Sequence, residues 1–166
     1  MSMRAYVGVG SNLDPERNIP AALTRLAQLV KVTGVSTFYR TAALGPPGQP
    51  DFLNGVVSVE TVLSARELKR SVLVKVEKEL HRERAADRYA PRVIDLDLVL
   101  YGDLVCDEEG LVLPDSHILE RPFLAFPLLE LEPELVIPGT RTSLREAAAL
   151  LPETRMEPVS LFESDA

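Results

Sequence analysis

The chain has 166 residues, of which 46% are hydrophobic and 26% charged, and a net charge of −7. These values predict one globular domain over residues 1–166, and the acidic balance argues against a general nucleic-acid binder. A single cysteine excludes an internal disulfide framework, and with only two histidines a structural zinc site is not expected. No signal-peptide core or membrane-spanning apolar run is visible, so we expect a cytoplasmic protein without membrane contact.

Strand and helix signals alternate along the first half of the chain. Alternating polarity predicts strands over residues 4–10, 32–40 and 52–62. A helix is predicted between the first two strands, with Asp14 or Asn18 as its N-cap, because apolar residues recur there at helical spacing. Those apolar residues are Ile19, Leu23, Leu26 and Val30. Residues 42–51 contain three prolines and two glycines and are predicted to form a loop.

The second half of the chain begins with a helix signal. Ser64 and Glu67 form a capping-box pattern that opens a helix to about Leu80. Its predicted buried stripe is Leu68, Val72, Val76 and Leu80. Further predicted elements are a strand over 93–101, a hairpin through Gly102-Asp103 into 104–106, a short strand over 111–113, mixed helical turns over 114–134, a helix capped by Ser143 and an edge strand over 156–162. Interspersed helices and hairpin-like strands predict an antiparallel α+β fold.

Asp95 and Asp97 are the main candidates for a metal site. Residues two apart in a strand share a face, so both carboxylates lie side by side, about 7 Å apart. The opposite face is predicted to be apolar and to consist of Ile94, Leu96, Leu98 and Leu100. Adjacent carboxylates repel each other unless a cation lies between them, and oxygen ligands suit Mg²⁺. The alternative is an ordinary solvated strand face.

Four arginines, Arg82, Arg84, Arg88 and Arg92, precede this strand. Guanidinium groups bind phosphates in a bidentate manner, so the arginines and the metal together indicate a polyphosphate ligand. Tyr89 offers an aromatic face on which a base could stack, and the segment is suited to a mobile lid. The alternative is a solvated helix tail in which Glu83 and Asp87 pair with the arginines.

A planar heterocycle is the second predicted ligand. Phe52 and Asn54 share one strand face beside the proline-rich loop, and an aromatic ring with an amide suits such a ring. The alternative for the loop is a rigid connector, and the alternative for Phe123, a second candidate aromatic, is a core residue. Glu77 lies off the apolar stripe of its helix and is a weaker candidate, with a solvated glutamate as the alternative.

The chain resembles the 6-hydroxymethyl-7,8-dihydropterin pyrophosphokinases of folate biosynthesis along nearly its full length. Four segments carry the resemblance: Gly-Ser-Asn-Leu at 10–13, Phe-Tyr-Arg-Thr with Leu-Gly-Pro within 38–46, Gln-Pro-Asp-Phe-Leu-Asn at 49–54, and the run of arginines ending in Ile-Asp-Leu-Asp at 82–97. The resemblance implies a ferredoxin-like α+β fold, an antiparallel sheet with helices on its faces. It also implies transfer of pyrophosphate from ATP to the pterin hydroxymethyl group, giving AMP.

The resemblance also implies roles for individual residues. Asp95 and Asp97 are expected to bind two Mg²⁺ ions, and Arg82 and Arg92 to act in catalysis. A separate hypothesis, based on proximity to the metal, is that Asp97 also acts in catalysis by orienting the hydroxyl or accepting its proton. The residues expected to contact the pterin are Thr41, Ala42, Leu44, Phe52, Asn54 and Phe123. The residues expected to contact ATP are Glu77, Arg82, Arg84, Arg88, Tyr89, Arg92, Leu98, Val112 and Arg121. The substrates implied are ATP and 6-hydroxymethyl-7,8-dihydropterin, and we expect a monomer.

Three positions depart from the family pattern. Asp115 stands where better-known members have a histidine, with His117 the nearest histidine, Gly110 replaces a basic residue, and Tyr89 a tryptophan. These departures bear on ATP recognition and on closure of the arginine segment. They leave room for a non-catalytic pterin- or nucleotide-binding module of the same fold, and a metal-dependent phosphohydrolase is a further alternative.

Overall fold

The computed structural model describes residues 2–42, 48, 50–82, 93–152 and 154–161, and of Arg82 only the backbone. The strands are β1 (Met3–Ser11), β2 (Lys31–Val35), β3 (Phe38–Thr41), β4 (Phe52–Thr61), β5 (Asp95–Tyr101), β6 (Cys106–Glu108), β7 (Leu111–Leu113) and β8 (Glu157–Val159). The helices are α1 (Pro15–Leu29), α2 (Ala65–Glu67), α3 (Val74–Arg82), α4 (Pro122–Leu131) and α5 (Leu144–Ala149). A π-helical stretch (Leu68–Leu73) joins α2 to α3, and a 3₁₀ turn (Ser116–Leu119) precedes α4.

One antiparallel sheet organises the described chain. Its strand order is β5-β1-β4-β3-β8, and β2 pairs with β4 beyond the end of β3. The predicted edge strand near the C-terminus is confirmed by β8, which pairs with β3. The predicted α+β class, an antiparallel sheet with helices packed on its faces, is confirmed.

The first face of the sheet, here called the helix face, is covered by α1 and by the helical run 65–82. Alternate residues of β1 and β4, such as Val7 and Leu53, point to it and are fully buried. The two predicted helical stripes are confirmed, because their residues are all buried in this core: Ile19, Leu23, Leu26, Val30, Leu68, Val72, Val76 and Leu80. Burying each leucine contributes about 1.5–3 kcal/mol, so this face provides much of the folding free energy.

The predicted capping box is present. The Ser64 hydroxyl accepts a hydrogen bond from the Glu67 amide at 3.2 Å, and the Glu67 carboxylate accepts one from the Ser64 amide at 3.2 Å. At α1, Asp14 occupies the N-cap position with a φ of 45°, but its side chain makes no capping hydrogen bond. Pro15 begins that helix, where its fixed φ is favourable and its missing N–H costs nothing.

Three predictions about the strands are wrong in detail. The strand predicted over 32–40 is two strands, because the Ser36 hydroxyl accepts a hydrogen bond from the Val56 amide at 2.8 Å and so replaces a backbone partner. The segment after Gly102 does not pair with β5. It forms β6, which pairs with β7 instead, after a turn closed by Leu104 and Tyr101.

The third error concerns Leu100, which the alternation predicts on the strand face opposite the two aspartates. Tyr6 pairs with Leu100 and Val7 with Leu98, so Val99 is an extra residue in β5. A bulge of this kind reverses the alternation of side chains beyond it. Leu96 and Leu98 therefore pack on the helix face, whereas Leu100 joins a second core on the other face.

The second face of the sheet, here called the site face, is covered only in part. Helices α4 and α5 pack over the end of the sheet that carries Tyr6, Val56 and Leu100. The Tyr6 hydroxyl hydrogen-bonds the Glu132 carboxylate there, which fixes the end of α4 to β1. The other end of this face carries glycines and polar residues and is left open.

Candidate active site

A cavity of about 270 Å³ lies on the open end of the site face. Its floor is formed by Gly8 and Gly10 of β1, flanked by Asn54 on β4 and by the aspartates on β5. The lining residues are Gly8, Val9, Gly10, Thr41, Ala42, Phe52, Asn54, Gly55, Asp95, Asp97, Val99, Asp115, His117, Arg121, Phe123 and Leu124. Glycines at the floor bring backbone rather than side chains to the surface, which leaves room for a ligand.

Asp95 and Asp97 enter the cavity from one strand face, as the alternation predicts. Asp95 pairs with Gly10 and Asp97 with Gly8, so each carboxylate stands beside a residue without a side chain. Burial by the surrounding protein raises the pKa of Asp97 above its ordinary value of 3.8, and the charges of Asp95 and Asp115 raise it further. His117 and Arg121 oppose this rise. Asp95 is half-buried and Asp97 remains exposed at the open side of the cavity, so the two carboxylates face each other's charge within reach of solvent, which favours a bound cation.

The donor set fits Mg²⁺. This ion keeps several waters and is usually bound by one or two carboxylates together with substrate phosphates. Among the described residues, no group of three or more His, Cys, Asp or Glu side chains is arranged to hold a metal by itself. Two strand carboxylates that leave positions open for water and phosphate meet this requirement, and a closed structural metal cage does not form in this part of the chain.

The β3–β4 side of the cavity presents Thr41, Asn54 and Phe52. Thr41 pairs with Phe52 across the two strands, and the Asn54 side-chain amide donates to the Thr41 hydroxyl at 3.3 Å. The Asn54 Oδ1 lies 2.6 Å from where a Cβ would stand on Gly10, so only glycine at that position allows this side chain its place. Ala42 continues the same wall. The wall offers hydrogen-bonding groups beside an aromatic ring.

The opposite wall comes from the start of α4. Arg121 is the N-cap residue, and its guanidinium carbon lies 5.8 Å from the centre of the Phe123 ring. Phe123 and Phe52 both line the cavity, one on each side. Both aromatic residues predicted to contact a flat heterocycle therefore lie at the same cavity, together with Arg121, which is predicted to contact ATP.

Asp115 and His117 complete the wall next to Asp97. The Asp115 carboxylate accepts a hydrogen bond from the His117 amide at 2.9 Å and lies 3.0 Å from the His117 Nδ1. The Asp115 amide donates to the Val99 carbonyl at 3.0 Å, which ties this turn to β5. The sequence marks Asp115 only as a departure from the family pattern and His117 only as the nearest histidine. The signal that could have found them is the N-cap pattern, in which an aspartate precedes a short helical turn.

Comparison with known proteins places the chain. Residues 6–133 match the family model described as 7,8-dihydro-6-hydroxymethylpterin-pyrophosphokinase (HPPK). The chain is also 35% identical over 159 residues to a 2-amino-4-hydroxy-6-hydroxymethyldihydropteridine pyrophosphokinase of Synechocystis sp., with 94% of this chain and 80% of the relative covered. The chain belongs to the HPPK family. The activity predicted from the sequence is thereby confirmed at the level of the family.

Other HPPK relatives differ in length. The Haemophilus influenzae enzyme of the same name is 37% identical over 140 residues, which cover 82% of this chain and 86% of the relative. The folic acid synthesis protein fol1 of Schizosaccharomyces pombe is 39% identical over 163 residues, but this chain spans only 22% of its length. This HPPK chain therefore corresponds to most of the length of the two bacterial relatives and to one part of the fungal protein.

Solved structures support the HPPK fold. The Plasmodium falciparum HPPK-DHPS A437G chain superposes with a TM-score of 0.67 at 11% identity, over 90% of this chain and 45% of that chain. The wild-type protein with pteroate gives the same TM-score at 13% identity. No helix within the described residues is long and apolar enough to span a bilayer.

Three residues predicted to contact ATP in this HPPK do not line the cavity. The Leu98 side chain is buried in the core of the helix face, and Val112 is exposed on β7. The Glu77 carboxylate accepts a hydrogen bond from the Leu96 amide at 3.1 Å. Five other predicted residues, and the Arg82 side chain, lie outside the described part of the chain: Leu44, Arg84, Arg88, Tyr89 and Arg92.

Proposed function

We propose that this chain transfers pyrophosphate from ATP to the hydroxymethyl group of 6-hydroxymethyl-7,8-dihydropterin, giving AMP and the pterin diphosphate in tetrahydrofolate synthesis. The observation that carries the proposal is that one cavity is lined both by residues suited to a metal-bound phosphate and by residues suited to a flat heterocycle. Asp95 and Asp97 stand on one side of the cavity floor, and Asn54 and Phe52 stand on the other. A metal-bound phosphate and a flat heterocycle can thus meet across two glycines.

The pterin side is assigned to the β3–β4 wall. Phe52 and Phe123 would sandwich the ring, and Thr41 and Asn54 would hydrogen-bond its polar edge, with Ala42 and Leu44 adding backbone contacts. Support comes from the Asn54–Thr41 hydrogen bond, which orients the amide before a ligand arrives. Preorganised groups reduce the entropy lost on binding, so this wall suits selective recognition of a planar ring.

The nucleotide side is assigned to the aspartates and the cations. Asp95 and Asp97 would hold two Mg²⁺ ions, which supply neutralisation of the phosphate charge when bound. Arg82 and Arg92 would stabilise charge on the transferred group, since this chemistry depends on positioning and electrostatics. The remaining residues assigned to ATP are Arg84, Arg88, Tyr89, Leu98, Val112 and Arg121.

Asp97 has a second proposed task. The hydroxymethyl oxygen must lose its proton when it attacks the β-phosphorus, and we assign Asp97 to orient the hydroxyl or accept that proton. Support comes from position, because Asp97 lines the cavity beside Gly8, next to the proposed metal site. Asp97→Asn is then expected to slow single-turnover chemistry more than it weakens ATP binding. Equal losses in rate and binding would remove the proton-accepting role.

One assay tests the function. The protein is incubated with ATP and Mg²⁺, with and without the reduced pterin, and AMP is quantified by chromatography. AMP that forms only with the pterin is the expected result. AMP or phosphate released without the pterin would replace the proposal with hydrolysis. Pterin or nucleotide binding without either product would leave a binding module of the same fold.

We also propose that the protein is a monomer that works in the cytoplasm without nucleic acid. Light scattering measures whether it is a monomer.

A further inference from the structure

The outer edge of β5 is held by a helix residue at the point between the two aspartates. β5 forms one edge of the described sheet, with β1 on its inner side. The Leu96 amide does not donate to β1 but to the Glu77 Oε2 on α3, at 3.1 Å. Leu96 is the residue that separates Asp95 from Asp97, so this hydrogen bond acts on the centre of the proposed metal site.

Strand geometry shows to which edge the backbone groups of Asp95, Leu96 and Asp97 point. Backbone groups of successive residues in a strand point to opposite edges. Because the Leu96 amide points outward to Glu77, the backbone groups of Asp95 and Asp97 point inward, toward their paired residues on β1. The segment 95–97 is therefore anchored on its inner edge at both aspartates and on its outer edge at Leu96.

Glu77 is itself well placed to act as an anchor. Its neighbours on α3, Val76 and Leu80, are buried in the core of the helix face, so the helix backbone cannot move away easily. A hydrogen bond to an ionised carboxylate is roughly twice as strong as one between neutral groups. The same hydrogen bond joins the helix that ends at Arg82 to the strand that carries the aspartates.

We propose that Glu77 is a positioning residue for Asp95 and Asp97, and that it sets their spacing for Mg²⁺ through the Leu96 amide. This inference rests on the proposed function, because it takes the two aspartates as the metal ligands. It assigns Glu77 a role through the strand backbone in place of a direct contact with the nucleotide. Partners that orient metal ligands change metal affinity or activity by about 10–100-fold when they are removed.

The test compares two substitutions at Glu77 with a matched control on the same helix. Glu77→Ala removes the acceptor, whereas Glu77→Gln keeps an oxygen that can accept from Leu96. Glu79→Ala is the control, because Glu79 pairs at 2.8 Å with Arg25 on α1 and is not among the residues that line the cavity. Three quantities are measured: hydrogen exchange of the Leu96 amide by NMR, calorimetric affinity for Mg²⁺ with a non-hydrolysable ATP analogue, and the Mg²⁺ concentration at half-maximal rate.

Glu77→Ala is expected to speed Leu96 exchange and to weaken Mg²⁺ affinity about 10-fold or more, with pterin affinity little changed. Glu77→Gln is expected to recover most of the affinity, and Glu79→Ala to behave as the unmodified protein. If Glu77→Gln loses as much as Glu77→Ala, the carboxylate charge acts directly and the inference is wrong. A lower melting temperature in Glu77→Ala with unchanged Mg²⁺ affinity would reduce Glu77 to a structural residue.

Failure of the proposed function would be recognised separately. An unmodified protein that forms no AMP from ATP and the pterin contradicts the transfer reaction. Leu96 exchange and calorimetric Mg²⁺ affinity need no turnover, so they decide the role of Glu77 in that case too.

Discussion

The two faces of the sheet are built from the same strands but serve different purposes. On the helix face, residues such as Val7, Leu53 and Leu96 are buried against helices and form a continuous aliphatic core. On the open end of the site face, their immediate neighbours are Gly8, Asn54 and Asp97, which border a cavity. Residues that stabilise the fold and residues proposed to act in the reaction thus alternate along one strand. Substitutions at neighbouring positions should therefore affect either stability or activity, but not both equally.

The largest expected contrast is between Asp97 and Leu96. Asp97→Ala should lower the rate of AMP formation by on the order of 10²–10³-fold, since a metal ligand supplies several kcal/mol of charge stabilisation. Its melting temperature without Mg²⁺ should equal or exceed that of the unmodified protein, because charge repulsion is relieved. Leu96→Ala should instead destabilise the fold by about 2–5 kcal/mol, because it leaves a cavity in the core.

Denaturant unfolding and initial rates under saturating substrates measure the two effects. The assignment of stability to the helix face and activity to the site face is wrong if Asp97→Ala loses stability as strongly as Leu96→Ala does. It is also wrong if Leu96→Ala, assayed well below its melting temperature, loses as much activity as Asp97→Ala.

Substitutions at two glycines test the same difference between the faces, with smaller expected effects on stability and activity. A Cβ on Gly55 would stand 2.7 Å from the Phe38 ring, which is buried on the helix face. Gly55→Ala should therefore destabilise the protein by about 1–3 kcal/mol, as overpacking does. A Cβ on Gly10 would stand 2.6 Å from the Asn54 Oδ1, at the end of a side chain that can rotate away. Gly10→Ala should spare stability and raise the KM for the pterin about 10-fold, the cost of roughly one hydrogen bond.

Steady-state kinetics with the pterin varied and thermal unfolding check this pair. A Gly10→Ala protein with an unchanged pterin KM would show that Asn54 does not contact the pterin. Asn54→Ala is the matched comparison, because it removes the same amide without adding a methyl group to the floor.

Local patterns predicted much of this organisation. The stripes of α1 and of the 65–82 helical run, the Ser64 capping box and the shared face of Asp95 and Asp97 all follow from side-chain period and short-range hydrogen bonding. These features need no knowledge of what packs against them. The placement of Phe52 with Asn54 follows from the same alternation in β4.

The features that the sequence did not predict depend on distant partners. The break at Ser36 requires the Val56 amide, twenty residues away, and the bulge at Val99 requires the register with β1. The pair of Asp115 and His117 lies at the cavity, where the Asp115 amide donates to the Val99 carbonyl of β5. Spacing along the chain carries no information about these contacts, since each is set by the packing of whole elements.

The smallest expected effect is the pH dependence that Asp97 gives to stability without Mg²⁺. Burial and the charges of Asp95 and Asp115 raise its pKa in the folded protein above the ordinary 3.8. The folded state therefore binds the proton more tightly than the unfolded chain, so the Asp97 contribution is fully favourable below pH 3.8. It is lost as the pH rises from there through the raised pKa. Asp97→Asn cannot ionise, so its stability relative to the unmodified protein should increase over that interval.

Denaturant unfolding of both proteins across a pH series, with a metal chelator present, measures this difference. Saturating Mg²⁺ with a non-hydrolysable ATP analogue should reverse its sign, because the ionised carboxylate then gains a cation that asparagine binds poorly. A difference that stays flat with pH would mean that the site face does not penalise the charge of Asp97. In that case the open end of the sheet would be solvated surface, and the contrast with the helix face would be one of burial alone.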